Sequence, residues 1–193
     1  MNFKRVKTST GLEFRGAKSR LELREDKRKL SEIARTDFLT GLPNRRQFET
    51  DLKAAISNLE RYGVPFTILD IDLIDFKKIN EDRRFGHPGG DKALKFFADF
   101  LVTHIRALDR PCRPGGDEFL VILGETTQKE GETAVQNLQE ALIKTKEILG
   151  SDHVVEQMVN MRASVKQWQK TDTYESFMAD LDRKMYEEAR GEI

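Results

Sequence analysis

Apolar residues recur at helical spacing through residues 45–61, where Phe48, Leu52, Ala55, Ile56 and Leu59 share one face. Asn44 stands at the N-cap position before them, and Gln47, three residues on, can reach back to it. PFTILDID, residues 65–72, is short and rich in Phe, Ile and Leu, and predicts a strand. A loop carrying Gly86, Pro88, Gly89 and Gly90 then leads to a helix over residues 92–107, with Leu94, Phe97, Ala98, Leu101 and Ile105 on its apolar side. Residues 110–113 run into Gly115 and Gly116, and EFLVIL, residues 118–123, runs out again, the pattern of a β-hairpin. A helix is expected over 129–149. MVNMRASVKQW alternates as a strand through Val159, Met161, Ala163 and Val165, and a last helix over 174–189 carries Phe177, Leu181, Met185 and Tyr186. Helices and strands interleave around one hairpin, which predicts an α/β (α+β) sandwich with a central mixed sheet.

The N-terminal part reads differently. Residues 1–17 have little apolar periodicity and read as a tail. Residues 18–35 form a charged helix or linker whose narrow stripe of Leu23, Leu30, Ile33 and Ala34 is interrupted by Asp26 and Lys27. Alone such a helix is marginal in water; it is either solvated or paired with a second copy. The folded domain is expected over residues 36–193.

Composition narrows the function classes. The 193 residues contain 33 Lys and Arg against 33 Asp and Glu, and this balance argues against a dedicated nucleic-acid binder, which needs uncompensated positive charge. The hydrophobic share of 38% suffices for a core. Cys112 is the only cysteine, so neither an internal disulfide nor a Cys-based zinc site can form. No apolar run approaches the ~18 residues of a membrane span, so a soluble, cytoplasmic protein is expected.

Two places carry candidate chemistry. In RPGGDEF, Gly115 and Gly116 remove two Cβ atoms from the hairpin tip, allowing close approach of another molecule and presenting N–H groups to phosphate. Asp117 and Glu118 follow immediately. At the end of the PFTILDID strand, Asp70, Asp72 and Asp75 compete for the role of a second carboxylate; Mg²⁺ needs only one or two from the protein, phosphate and water filling the rest of its shell. Arg106 and Asp109 form an R-x-x-D, at its plainest an i,i+3 ion pair at a helix end.

DFLTGLPNRR, FKKIN, FGHPGGD and GGDEF, in this order, resemble the GGDEF-domain family of diguanylate cyclases, over residues 36–186. The resemblance implies a nucleotide-cyclase-like palm with the motif on a β-hairpin, and the condensation of two GTP into cyclic di-GMP with Mg²⁺ or Mn²⁺, one GTP on each half of a homodimer. Counting back from Phe76 and Lys77 without a gap places the family's metal-binding Asp on Asp72, with the Leu73 carbonyl beside it, and leaves Asp70 inside the strand. Asp117 matches the acid that binds metal and helps deprotonate the attacking 3′-hydroxyl, and Glu118 supports it. Gly115, Gly116 and Lys77 match phosphate contacts. Asn80 and Asp91 match the guanine pair, a carboxylate accepting the N1–H and 2-amino protons that adenine cannot offer together; His87 matches a loop brace. Arg106 and Asp109 match the family's product-inhibition site. Ile74 replaces a further family Asp, EDRRF lengthens the loop after Asn80 by two residues, Lys166 stands for a Gly, and the C-terminus lacks the usual basic ending, with Arg190 as nearest substitute. These departures admit an alternative: a catalytically silent cyclic di-GMP receptor or scaffold.

Overall fold

The structure is a computed structural model and describes residues 6–8, 11–13, 22, 24–26 and 34–190. Two compact units divide at residue 34. In the first, β1 (Val6–Thr8) and β2 (Gly11–Glu13) pair antiparallel within the stretch read as a tail. Of the expected helix over 18–35, residues 22 and 24–26 are helical, and Leu23, Leu30 and Ile33 lie outside the described residues.

The second unit runs α1 (Arg45–Tyr62), β3 (Phe66–Leu73), α2 (Phe76–Glu81), α3 (Gly86–His104), β4 (Arg110–Gly115), β5 (Glu118–Gly124), α4 (Gln128–Leu149), α5 (Val154–Met158), β6 (Met161–Gln167) and α6 (Tyr174–Ala189). The expected α+β arrangement of a sheet flanked by helices is the one adopted. Its four strands lie in the order β4-β5-β3-β6, and every described pairing is antiparallel, so the sheet is not mixed. The reason lies in the connections. The helical crossover after β3 makes β4 run parallel to it, but the hairpin inserts β5 between them. The α4–α5 crossover makes β6 run parallel to β5, with β3 between. Each parallel-running pair is split by a third strand, as in a split βαβ unit.

Alternation along the strands gives the sheet two apolar faces. Leu69, Ile71, Phe119, Val121 and Leu123 pack against α3 and α4 through Leu94, Phe97, Leu101, Val135 and Leu138. Phe66, Ile68, Leu120 and Ile122 pack against α1 and α6 through Phe48, Leu52, Phe177 and Leu181. Asn44 caps α1 as expected, its side-chain oxygen accepting the N–H groups of Arg46 and Gln47.

Two elements differ from the sequence reading. The glycines at 86–90 are not loop: α3 begins at Gly86 and ends at His104, three residues short of the expected end. A Cβ on Gly89 would stand 2.4 Å from Phe85 Cβ, and one on Gly90 would stand 2.1 Å from Asn80 Oδ1, so both glycines serve close packing inside a helix. The strand expected from Met158 is shorter, because residues 154–158 form α5, which buries Val155.

Candidate functional site

On the face of β3 that packs against α1 and α6, apolar residues give way to acids halfway along. Phe66 and Ile68 lie in the core, while Asp70 and Asp72, at the same parity, look into a cavity of 270 Å³ that also takes Glu118 of β5, Arg162 of β6, and Asp182, Met185 and Tyr186 of α6. The sheet register makes this convergence. Asp72 pairs with Glu118 on one side and with Arg162 on the other. The Leu73 N–H points to the Asp117 carbonyl at 3.4 Å, which makes Asp72 and Glu118 a non-hydrogen-bonded pair. Side chains approach closest in such pairs, with Cβ atoms about 4.5–5.5 Å apart.

Acids held so close raise one another's proton affinity. Asp70, 9% exposed, is pushed up to about 7, first by burial and then by Glu118, Asp182 and Asp72. Glu118 is raised by burial, then by Asp117, Asp182 and Asp72. Arg162 offsets part of this charge: its Nη2 donates to Asp72 Oδ2 at 2.5 Å. The register thus brings together Asp72, Glu118 and the backbone at Leu73 and Asp117. It also brings in Asp70, which the count from Phe76 leaves aside, and Arg162 and Asp182, which no motif marked. Parity was the available signal for Asp70, since residues i and i+2 of a strand share a face; Arg162 needed the pairing partner of its strand.

The hairpin tip is a two-residue turn, Gly116-Asp117, closed by the Gly115–Glu118 pair. Gly116, at φ +57°, takes the left-handed conformation that favours glycine there. A Cβ at either Gly115 or Gly116 would meet nothing within 4 Å, so the tip stands open to an incoming group. A brace holds it from behind: Arg113 donates from Nη2 and Nε to the Gly116 carbonyl at 2.5 and 3.1 Å, and from Nη1 to Asp37 at 2.7 Å. Asp37 is itself fixed by the Thr40 hydroxyl at 2.6 Å. The DFLTGLPN segment therefore positions the acidic turn, a role that its own residues did not disclose.

The donor set suits a hard divalent cation. Among the described residues no three His, Cys, Asp or Glu form a ready cage, but Mg²⁺ requires only one or two carboxylates alongside phosphate and water. Asp72, and Asp117 whose backbone carbonyl meets the Leu73 N–H, are carboxylates of the kind that requirement asks for.

The other expected site residues lie apart from this cavity. Asn80, on α2, packs its amide oxygen against Gly90, the residue before the exposed Asp91. The lengthened loop between them closes on itself: the Asp82 carboxylate accepts from Arg84 N, Nε and Nη2 at 2.9, 3.0 and 2.7 Å, so the extra residues leave the α2–α3 contact in place. Gly90→Ala should push the Asn80 amide aside, costing about 1–3 kcal/mol of stability; a lowered melting temperature checks it. Lys77 is exposed and faces Glu81 at 3.5 Å, and His87 is exposed in the first turn of α3.

Arg106 and Asp109 line a second cavity, of 460 Å³, with His104, Thr126, Glu130 and Asn137. The i,i+3 pair is present at 3.4 Å, in the turn after α3 rather than in a helix end. Asp109 is buried, and its Oδ2 accepts the Arg106 N–H at 2.8 Å; the Arg106 guanidinium also donates to Thr126 Oγ1 at 2.7 Å. Lys166, which the resemblance sets against a Gly, donates from Nζ to Asp172 at 3.3 Å and to Asp180 at 2.7 Å, two ion pairs that tie β6 to α6 and the turn before it. No described helix is long and apolar enough to cross a membrane.

Comparison with known proteins bears on the fold and the family. Response regulator PleD of Caulobacter vibrioides is 46% identical over 95 residues, which is 49% of this chain and 20% of that protein. Diguanylate cyclase DgcP of Pseudomonas aeruginosa is 38% identical over 109 residues, 56% of this chain and 16% of that one. The chain therefore spans a fifth or less of the length of these two relatives. Its fold is shared with the coiled coil and GGDEF domain of DgcB from Caulobacter crescentus, a structure in complex with c-di-GMP, at a TM-score of 0.74 and 23% identity, covering 88% of this chain and 87% of that one. Residues 34–192 match the family described as Diguanylate cyclase, GGDEF domain, and with its motif on the β4–β5 hairpin the chain belongs to that family.

Proposed function

We propose that this chain is a cytoplasmic diguanylate cyclase, joining two GTP into cyclic di-GMP with release of two pyrophosphates. The observation that carries the reading is the β3–β5 register, which sets Asp72 opposite Glu118 and ties the backbone of Leu73 to that of Asp117 beside an open glycine turn. Asp72, the Leu73 carbonyl and Asp117 would hold Mg²⁺ or Mn²⁺, which when bound supplies charge stabilisation at the α-phosphate and the leaving pyrophosphate. Asp117 takes the proton of the 3′-hydroxyl as its oxygen attacks the α-phosphorus of the other nucleotide, and Glu118, whose proton affinity is raised, supports it. Gly115, Gly116 and Lys77 take the phosphates, and Asn80 and Asp91 select guanine, with His87 bracing their loop. Each subunit carries half of the reacting pair, so turnover requires a C2 dimer in which the two hairpins face each other. Arg106 and Asp109 bind the product, the Asp109 carboxylate toward guanine N1–H and the Arg106 guanidinium toward its other edge.

Incubation of the native chain with GTP and Mg²⁺ should yield cyclic di-GMP, detected by mass; no product at high protein concentration would sink the cyclase reading. A second reading has its own observation: Arg162 already occupies the Asp72 carboxylate. On that reading the chain is a silent receptor, and calorimetry should show cyclic di-GMP binding that Arg106→Ala removes, without turnover.

A further inference from the structure

Arg162 belongs to neither the hairpin nor any motif that the function has absorbed. Its guanidinium is fixed on Asp72 Oδ2 from the directly opposed position of β6. Its Nε is buried and has no hydrogen-bond partner. A buried donor left unpaired costs free energy that an acceptor would recover, and here the donor belongs to a residue lining the acidic cavity. The charge around it sharpens the point. The cavity wall consists of Asp70, Asp72, Glu118, Asp182, Met185, Tyr186 and Arg162, so among the described residues Arg162 is its one cationic residue. A polyphosphate entering this cavity meets four carboxylates, the uncharged Met185 and Tyr186, and a single positive group at Arg162. A divalent cation on Asp72 meets the guanidinium as a competitor for the same carboxylate, and two positive groups on one carboxylate repel each other.

We infer that Arg162 is a phosphate ligand of this site that exchanges partners, resting on Asp72 until a divalent cation takes that carboxylate and then turning its freed donors to the nucleotide's phosphates. The inference rests on the cyclase reading for the identity of the nucleotide. Arginine suits the task because its planar fork binds carboxylate and phosphate in the same bidentate manner, so exchange needs no change of protonation. The role also supplies a positive charge at a site where the described residues of the C-terminal helix on the cavity wall, Asp182, Met185 and Tyr186, bring none.

The test separates the two partners with two probes. Mn²⁺ alone, followed by electron paramagnetic resonance of the free ion, should bind Arg162→Gln about 5- to 20-fold more tightly than the native chain, because the competing cation is gone. The α,β-methylene analogue of GTP, which cannot release pyrophosphate, should with Mg²⁺ bind Arg162→Gln at least about tenfold more weakly. Arg162→Lys, which keeps the charge and loses the fork, should restore the native Mn²⁺ affinity and recover only part of the nucleotide affinity; it also serves as the test if Arg162→Gln fails to fold. A residue that merely props the cavity would weaken both probes together or neither. Unchanged or weakened Mn²⁺ binding, unchanged analogue binding, or a native chain that binds neither probe overturns the inference. Both shifts in a chain that makes no cyclic di-GMP would uphold Arg162 as the exchanging ligand and remove the cyclase reading instead.

Discussion

Asp117→Ala should lower cyclic di-GMP formation by about 10²–10⁴-fold while leaving the fold intact, the range expected for loss of a positioned proton acceptor. That is about 2.7–5.4 kcal/mol of transition-state stabilisation at 1.36 kcal/mol per decade. The substitution is clean for structural reasons. Asp117 lies in the two-residue turn, its backbone carbonyl is what meets the Leu73 N–H, and alanine keeps that carbonyl. Asp117 is not among the residues with positive φ, so alanine meets no strain there. The Arg113 brace holds Gly116 rather than the Asp117 side chain. Stability should therefore stay within about 0.5–1 kcal/mol of native. Asp72→Ala would be a poorer probe, since it strips Arg162 of its carboxylate and mixes a folding cost with a catalytic one. The measurement is product by mass under excess GTP, beside melting temperature. Turnover within tenfold of native would remove Asp117 from the chemistry.

What the sequence disclosed follows from how local each signal is. Asn44, the apolar stripe of α1 and the alternation of β5 are decided within a few residues, and each appears where the pattern placed it. The start of α3 was hidden because Gly86, Pro88, Gly89 and Gly90 read as turn residues, whereas Gly89 and Gly90 are there for Phe85 and Asn80 to pack on, a tertiary cause. The antiparallel sheet was hidden for a similar reason: alternating helices and strands suggest parallel neighbours, and only the insertion of β5 beside β3 separates them. At the site, the residues alone left Asp70, Asp72 and Asp75 as competitors, and only the resemblance singled out Asp72. The Arg113–Asp37 brace joins positions 76 residues apart, and the Arg162–Asp72 pair joins positions 90 apart. Neither has a sequence signature, because strand register rather than spacing brings the partners together.

Asp70→Asn should stabilise the protein at pH 8 and change little at pH 4, measured in chelator so that no divalent cation neutralises the cluster. Asp70 holds its proton up to about 7 in the fold because it is buried beside Glu118, Asp182 and Asp72, while in the unfolded chain it ionises near 3.9. Below about pH 4 both states are protonated and the residue is neutral for stability. Between about 4 and 7 the folded state retains a proton that the unfolded state has lost, so stability falls as pH rises; above 7 the penalty is complete. Three pKa units correspond to at most about 4 kcal/mol, and relaxation of the partly open cavity reduces this to about 2–3. Asparagine keeps the shape and removes the charge, so at pH 8 its Tm should exceed the native value by roughly 5–10 °C, with the two curves converging toward pH 4. Mn²⁺ added at pH 8 should raise the native Tm and narrow the gap, since a cation among these carboxylates removes the repulsion that asparagine removes by chemistry. A difference in Tm that stays constant from pH 4 to 8 would mean that Asp70 is as ionised in the fold as in water, and that the acids around Asp72 do not act as one electrostatic cluster.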